Sequence, residues 1–215
     1  MKKLVIFDLD GTLLNTIDDL AAATNHALQQ LGYPTHPVDT IRTYVGNGIN
    51  KLLERSLPEK ERNEENVQRM RSHFVPYYDK HNADLSYPYP GIVALLEELR
   101  DRGVMIAVAS NKYQTATSKL VKHYFPTVNF IEVLGQREGI AVKPDPIIVF
   151  DILKKANVLP EEVLYVGDSG VDMQTAINSG VDAVGAAWGF RPKAELESFY
   201  PKGIIETADE LITFI

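Results

Sequence analysis

Residues 4–12 read Leu-Val-Ile-Phe-Asp-Leu-Asp-Gly-Thr, and this stretch decides the fold. The four apolar residues Leu4–Phe7 run directly into two aspartates, Asp8 and Asp10. A short apolar run bounded by polar residues is typical of a strand that is buried on both faces of a parallel sheet. Alternate residues of an extended chain share a face, so the two carboxylates are expected side by side. Open α/β sheets bind ligands at the carboxyl ends of their strands, so we predict a functional site here.

Outward from this stretch, short apolar runs alternate with longer segments that carry apolar residues every three or four positions. Alternating strands and helices predict an α/β fold with a doubly wound parallel, Rossmann-like sheet. The further strands are predicted at Val104–Ala109, Phe130–Leu134, Val163–Val166 and Ala183–Ala186. The helices between them are predicted at Ile92–Arg102, Gln114–Tyr124, Ile147–Ala156 and Val171–Asn178.

One region, residues 16–84, interrupts the alternation because it contains no convincing strand. Its predicted helices are one with Thr16 as N-cap and Gly32 as stop, and three more at Val38–Val45, Ile49–Ser56 and Glu61–Tyr78. We therefore predict a core of residues 1–15 and 85–215 and a small all-helical inserted domain of residues 16–84, with Tyr87–Gly91 as a linker. A domain inserted on two linkers can open and close over a site.

Composition excludes several classes of protein. The chain has 215 residues, a formal net charge of −7 and no cysteine, which excludes disulfides, thiolate metal sites and cysteine catalysis. An acidic chain without a basic block is a poor binder of nucleic-acid phosphates. No apolar stretch approaches the roughly 20 residues of a membrane span, and the N-terminal apolar run is too short for a signal peptide. We expect a cytoplasmic protein that binds neither nucleic acid nor a membrane.

A second group of acids follows the fourth predicted strand. Residues 167–172 place Asp168 just after this strand and Asp172 on the first turn of the next helix. Taken alone, the pattern fits a helix start equally well, with Asp168 as the cap and Asp172 favoured by the helix dipole. Together with Asp8 and Asp10 it gathers four carboxylates, whose mutual repulsion a hard cation relieves. An oxygen-only set of ligands with room for waters suits Mg²⁺.

Two further segments offer partners for an anion. Ser110 and Asn111 follow the second predicted strand and supply a hydroxyl, an amide and backbone N–H groups near a helix start, where anions bind well. Lys143 precedes a proline-rich turn, and beside a phosphate and four acids its charge would balance developing negative charge. Taken singly, Ser110 and Asn111 fit a simple helix cap equally well, and Lys143 fits a surface residue.

These segments, in this order, resemble the four motifs of the haloacid dehalogenase (HAD) superfamily of phosphohydrolases. The resemblance is carried by Asp8–Thr12, Ser110, Lys143 and residues 167–172. It extends over about residues 2–14 and 90–215, and the helical insertion is similar to the small helical cap that this family places after its first strand.

The resemblance implies a mechanism. In this family the first acid, here Asp8, attacks phosphorus and forms an aspartyl-phosphate, and the second, here Asp10, protonates the leaving oxygen and then activates water. It implies Mg²⁺ as the cofactor, held by Asp8, Asp168 and the backbone carbonyl of Asp10, with waters oriented by Asp172. The groups implied to hold the transferring oxygens are those of Thr12, Ser110, Asn111 and Lys143.

Substrate choice is expected in the helical insertion. Residues 44–49 contain Gly46, Asn47 and Gly48, which by themselves fit a glycine turn between two helices. In capped relatives this loop enters the active site, and the string resembles the phosphoglycolate phosphatase branch, as do residues 188–192. The three loop residues are therefore predicted to bind substrate. The candidate cations for a substrate carboxylate are Arg42, Lys51 and Arg55.

The predicted function is a Mg²⁺-dependent phosphomonoester hydrolase acting on a small phosphorylated metabolite, with 2-phosphoglycolate first, as a monomer or weak homodimer. The presence of Asp10 argues against the dehalogenase and phosphonate-cleaving relatives, which lack the second acid. The alternatives are an inorganic pyrophosphatase or a sugar-phosphate phosphatase, then a mutase similar to β-phosphoglucomutase, then a phosphate-binding module without catalysis.

Overall fold

The computed structural model describes all residues, 1–215, as eight strands and nine α-helices. The strands are β1 (Leu4–Phe7), β2 (Leu14–Asn15), β3 (Tyr87–Pro88), β4 (Met105–Tyr113), β5 (Glu132–Gln136), β6 (Val163–Gly167), β7 (Asp182–Ala186) and β8 (Gly203–Ile205). The helices are α1 (Ile17–Gln30), α2 (Val38–Tyr44), α3 (Ile49–Ser56), α4 (Glu64–His81), α5 (Ile92–Asp101), α6 (Gln114–Tyr124), α7 (Ile147–Ala156), α8 (Gly170–Ser179) and α9 (Lys193–Glu197). None of these helices has the length and apolar character needed to cross a membrane.

Six strands form one parallel sheet in the order β5-β4-β1-β6-β7-β8. β1 lies in its middle, and successive side chains enter opposite cores. Val5 and Phe7 join the apolar cluster that includes residues of α5 and α6, while Leu4 and Ile6 join the cluster that includes residues of α7 and α8. Helices therefore cover both faces of the sheet, which confirms the predicted doubly wound α/β fold.

Helices α1 to α4 lie between β1 and the rest of the sheet in sequence and pack around an apolar cluster of their own. Its largest members include Ile41, Leu53, Phe74 and Tyr78, each with at most 1% of its surface exposed. The prediction of helices without a strand in this region is confirmed. A separate hydrophobic cluster is what an independent packing unit requires, and the term helical unit is used below for residues 17–81.

Several local predictions differ from the structure. The sheet has a sixth strand, β8, which is only three residues long and too short to stand out as a pattern. The predicted linker Tyr87–Gly91 begins with β3, which pairs antiparallel with β2. Thr16 does not cap α1, because its hydroxyl donates to Asp10 Oδ1 at 2.6 Å instead. Helix α4 begins three residues later than predicted, where Asn63 caps it by accepting from the Asn66 amide.

A buried carboxylate holds residues 82–86, the return segment that leads from the helical unit back to the core. Asp19, on the first turn of α1, accepts hydrogen bonds from the backbone N–H groups of Leu85 and Ser86 and from the Ser86 hydroxyl. On the other side, the Tyr124 hydroxyl donates to the Ser86 carbonyl at 2.7 Å. The return segment is therefore fixed between α1 and α6 by these polar contacts.

We expect Asp19→Ala to destabilise the protein by about 2–4 kcal/mol, because it leaves two buried N–H groups without an acceptor. Urea unfolding followed by circular dichroism measures this change. The matched control is Asp18→Ala, since Asp18 lies on the same helical turn, is more exposed and has no recorded side-chain partner. Equal destabilisation by the two substitutions would show that helix-dipole effects, and not the return segment, account for the loss.

Candidate active site

The predicted carboxylates meet at the carboxyl ends of two neighbouring strands. Asp8 follows β1, Asp168 follows β6, and Asp172 lies on the first turn of α8. Each of the three residues has a carboxylate oxygen within 4.8 Å of a carboxylate oxygen of the other two, and all three residues are buried. The parallel pairing of β1 with β6 brings these acids together although about 160 residues separate them in the chain.

Gly11 allows this close approach. Its backbone has φ +88°, a conformation that side-chain-bearing residues rarely adopt. A Cβ atom at this position would overlap the Asp168 carboxylate. The chain then turns sharply, with the Gly11 N–H donating to the Leu14 carbonyl at 2.8 Å. The glycine that follows Asp10 is therefore required by both the turn and the packing of the second acid group.

Ser169, and not Asp168, caps helix α8. The Ser169 hydroxyl and N–H both donate to Asp172 Oδ2, at 2.6 and 3.1 Å, in a capping box. This arrangement fixes Asp172 and frees Asp168 from a capping role. Asp168 instead accepts from the Phe190 N–H at 2.6 Å and from the Thr12 hydroxyl at 3.3 Å. The capping role that the sequence pattern also fitted for Asp168 is therefore taken by Ser169.

Lys143 is buried at the centre of the acids and is not a surface residue, with 2% of its surface exposed. Its ammonium lies 2.7 Å from Asp172 Oδ1 and 2.9 Å from Asp8 Oδ1, and it also donates to the Tyr165 hydroxyl at 3.0 Å. Burial lowers the pKa of Lys143, but the negative charges of Asp172 and Asp8 outweigh it and leave the pKa well above its usual value. Lys143 therefore stays protonated.

Burial raises the pKa of two of the acids. The pKa of Asp8 rises to about 7, because desolvation and the charges of Asp172 and Asp10 outweigh the attraction of Lys143. The pKa of Asp168 is also raised well above its usual value, by burial first and then by its acidic neighbours. Three clustered carboxylates against one ammonium leave an excess of negative charge with oxygen donors only. This donor set fits a hard divalent cation such as Mg²⁺.

Asp10 lies beside this group and has partners of its own. Its Oδ1 accepts from the Thr16 hydroxyl, and its Oδ2 lies 3.2 Å from the ammonium of Lys112. Lys112 in turn donates to the Tyr78 hydroxyl of α4 at 2.7 Å. No role for Lys112 was predicted from the sequence. Strand β4 continues to Tyr113, beyond the predicted end at Ala109, and this extension brings Lys112 to the site.

A cavity that is partly open to solvent lies between the sheet and the helical unit. Its walls include nine of the predicted site residues, namely Asp8, Asp10, Gly46, Gly48, Ser110, Asn111, Lys143, Asp168 and Asp172. The other two lie outside the lining. Thr12 is fully buried behind it against Asp168, and the Asn47 side chain accepts a hydrogen bond from Arg55 at 2.9 Å.

Asn111 connects the loop of the helical unit to the core. Its amide donates to the Gly46 carbonyl at 2.9 Å and to the Lys143 carbonyl at 3.0 Å, and its side-chain oxygen accepts from the Lys143 N–H. Gly46 has φ +119°, which permits this turn of the loop toward the core. The predicted loop between α2 and α3 therefore reaches the cavity through its backbone.

The three cations proposed from the sequence for a substrate carboxylate do not line the cavity. Lys51 is paired with Glu54 on the exposed face of α3, at 2.6 Å. Arg55 donates to the Tyr44 carbonyl and to Asn47. Arg42 approaches Asp39, one turn earlier on α2, at 3.4 Å.

A different arginine, Arg191, does line the cavity. It lies in the segment between β7 and α9, and its guanidinium donates to the carbonyls of Arg42, Thr43 and Val45 at the end of α2. Cations near the carboxyl end of a helix interact favourably with its dipole and its unpaired carbonyls. Arg191 therefore connects the core to the helical unit at the end of α2.

Comparison with known proteins agrees with this geometry. The family described as haloacid dehalogenase-like hydrolase matches residues 5–186. The chain is similar to proteins named phosphoglycolate phosphatase from Pasteurella multocida (31% identity over 99% of this chain and 98% of the relative) and Vibrio parahaemolyticus (32%, 99% and 96%).

The fold is also similar to solved structures. A protein from Lactobacillus delbrueckii subsp. bulgaricus has a TM-score of 0.91 at 35% identity, with coverage of 98% of this chain and 97% of that one. A predicted phosphoglycolate phosphatase from Haemophilus somnus has a TM-score of 0.92 at 28% identity, with coverage of 99% and 97%. The range 5–186 that matches the family includes Asp8, Asp10, Asp168 and Asp172. The chain therefore belongs to the haloacid dehalogenase-like hydrolases.

Proposed function

We propose that this hydrolase removes phosphate from 2-phosphoglycolate, using Mg²⁺ and an aspartyl-phosphate on Asp8. The observation that carries the proposal is the group of buried carboxylates around Lys143, which opens into a cavity that also contains Asp10. The names of the similar proteins support the choice of substrate.

Asp8 is suited to attack phosphorus. It lines the cavity, and the Lys143 ammonium lies 2.9 Å from its Oδ1. The ammonium can therefore stabilise the negative charge that develops on the phosphoryl oxygens during the attack. In the first displacement a carboxylate oxygen of Asp8 bonds to phosphorus while the bond from phosphorus to the glycolate oxygen breaks. In the second, water attacks the same phosphorus and releases the carboxylate, so one difficult hydrolysis becomes two easier steps.

Asp10 is suited to move the proton in both steps. The Thr16 hydroxyl fixes one of its oxygens, and the other faces the cavity beside Lys112. As a general acid it donates a proton to the departing glycolate oxygen, and as a general base it then takes a proton from the attacking water.

The residues that would hold Mg²⁺ are Asp8, Asp168 and Asp172, the three whose oxygens converge. When bound, the cation neutralises charge on the phosphoryl oxygens. The Phe190 N–H and the Thr12 hydroxyl fix Asp168, and the capping box fixes Asp172. Ser110 and Asn111 line the same cavity and offer donors to the phosphoryl group.

The helical unit would act as the cap that selects the substrate. It corresponds to the predicted division into a core of residues 1–15 and 85–215 and an insertion of residues 16–84. In support, the unit has its own apolar cluster and supplies one side of the cavity through Gly46, Gly48 and Tyr78. Opening would release the Arg191 and Asn111 contacts, and closing would exclude water from the phosphoryl group.

A substrate panel tests the proposed function. We expect kcat/KM for phosphate release with Mg²⁺ to be at least about tenfold higher for 2-phosphoglycolate than for pyrophosphate or glucose 6-phosphate. The reason is that a cavity that fits a small phosphorylated acid discriminates against other substrates by their charge and size. Flat activity across the panel would retain the phosphatase chemistry but reject the substrate. Metal-dependent release from none of these compounds would favour a phosphate-binding module.

Asp8→Asn is expected to lower phosphate release by at least about 1,000-fold, since an amide cannot act as the nucleophile. The fold should be retained, because the substitution removes a buried charge without changing the size of the side chain. Steady-state phosphate release and the far-ultraviolet circular dichroism spectrum measure the two expectations. Asp18→Asn, outside the cavity, is the matched control, and unchanged release from Asp8→Asn would reject the assignment of the nucleophile.

Stabilisation by Mg²⁺ is expected to increase with pH. Because the pKa of Asp8 is about 7 in the folded protein, the folded chain keeps a proton that an unfolded Asp loses near about pH 4. Metal-free stability therefore falls as pH rises between these values, and bound Mg²⁺ must displace the proton. Thermal unfolding should show a larger Mg²⁺-dependent rise in Tm at about pH 8 than at about pH 5.5. Asp168→Asn should reduce this rise, and an equal rise at both pH values would contradict the assignment of the site.

A further inference from the structure

A second buried ammonium faces the cavity, and the mechanism described above does not use it. Lys112 lies at the end of β4, and only 3% of its side chain is exposed. Of its three N–H groups, one donates to the Tyr78 hydroxyl and one is directed to Asp10. A third remains for an acceptor in the cavity, whose wall includes Lys112.

The other cations are occupied or lie elsewhere. Lys143 is surrounded by Asp8, Asp172, Tyr165 and the Ala109 carbonyl, on the phosphoryl side of the site. The guanidinium of Arg191 is directed to three carbonyls at the end of α2. Among the cations that line the cavity, Lys112 is therefore the one that is almost completely buried and still has a free N–H group.

The position of Lys112 relative to Asp10 identifies what it can bind. Asp10 is proposed to protonate the leaving oxygen, and the Lys112 ammonium lies 3.2 Å from the Oδ2 of Asp10. A group attached one carbon beyond the leaving oxygen therefore falls close to this ammonium. In 2-phosphoglycolate that group is a carboxylate, separated from the ester oxygen by a single methylene.

Tyr78 adds a second donor to the same place. Its hydroxyl accepts from Lys112, which leaves the phenolic proton for an acceptor in the cavity. The ammonium also lies 4.5 Å from the centre of the Tyr78 ring, so the ring fixes the lysine from the side of the helical unit. Burial raises the pKa of Tyr78 well above its usual value, so the hydroxyl keeps its proton. An ammonium and a phenol together form a donor pair for a carboxylate.

We propose that Lys112, fixed by Tyr78, binds the carboxylate of the substrate and selects phosphorylated small carboxylic acids over neutral phosphate esters. This proposal rests on the proposed function and extends it, because it assigns the choice of substrate to a lysine of the core sheet. It also explains why the arginines and lysine of the helical unit need not reach the cavity.

The test compares two substrates that differ only at the group of interest. In 2-hydroxyethyl phosphate a CH₂OH group replaces the carboxylate of 2-phosphoglycolate on the same carbon skeleton. We expect Lys112→Met to lower kcat/KM for 2-phosphoglycolate by about 30-fold or more, mainly through KM, and that for 2-hydroxyethyl phosphate by less than about threefold. Lys112→Arg should restore part of the preference, and Lys122→Met, at an exposed lysine of α6, should change neither value.

A loss of equal size for both substrates would overturn the proposal, because it would mean that Lys112 acts on Asp10 or on the fold. The pH dependence of kcat distinguishes these two roles: a shifted profile for both substrates indicates an effect on Asp10, and an unshifted profile with a lower Tm indicates an effect on the fold.

Binding gives a reading that is independent of turnover. In the Asp8→Asn background, calorimetry with Mg²⁺ compares the two compounds with and without Lys112→Met. The proposal is supported if Lys112→Met weakens the affinity for 2-phosphoglycolate by about tenfold or more and leaves that for 2-hydroxyethyl phosphate unchanged. It is rejected if the substitution changes the two affinities by the same factor or changes neither. If the wild-type chain releases phosphate from neither compound, the proposed function fails, and this binding comparison still decides the role of Lys112.

Discussion

The ammonium of Lys143 holds together a group of carboxylates that would otherwise repel one another in the interior. It lies between Asp8 and Asp172, which belong to different segments, and it is almost completely removed from solvent. Removing the Lys143 ammonium would leave uncompensated buried carboxylates, which is strongly destabilising. The parallel pairing of β1 with β6 and the capping box at α8 both serve to keep these charges in place. The negative charge that Lys143 leaves uncompensated is what suits these carboxylates to a divalent cation.

A second ammonium divides the cavity into two parts. Lys143 lies on the side where phosphorus would bind, and Lys112 lies beside Asp10, on the side of the leaving group. In the proposed mechanism, Lys143 would serve phosphoryl transfer and Lys112 would bind the rest of the substrate. Lys112 also contacts Tyr78, so under this proposal substrate recognition would depend on the position of the helical unit as well as on the sheet.

The sequence predicted the parts of the fold and site that depend on local pattern. The apolar run before Asp8, the acids after β6 and the strand-free region of α1 to α4 were predicted near their observed places, because burial and helical periodicity leave a direct trace in the order of residues. Hydrogen-bond partners were less predictable. Thr16 fitted an N-cap by residue type, yet its hydroxyl donates to Asp10 and makes no cap hydrogen bond, because the fold brings this carboxylate within 2.6 Å of it. Short strands such as β8 escaped because three residues carry too little pattern.

The sequence by itself determined the α/β class, the four acids, the position of Lys143 and the segments that meet at the carboxyl ends of the strands. Only the tertiary structure decided which cations line the cavity. Strand β4 changes register between Ala109 and Tyr113, so Ser110, Asn111 and Lys112 all reach the cavity, whereas a regular strand would send alternate residues to opposite faces. The arginines of the helical unit are directed elsewhere, because carbonyl and carboxylate groups near them in space accept their donors. Such pairings depend on distances between remote parts of the chain, which residue order alone does not specify.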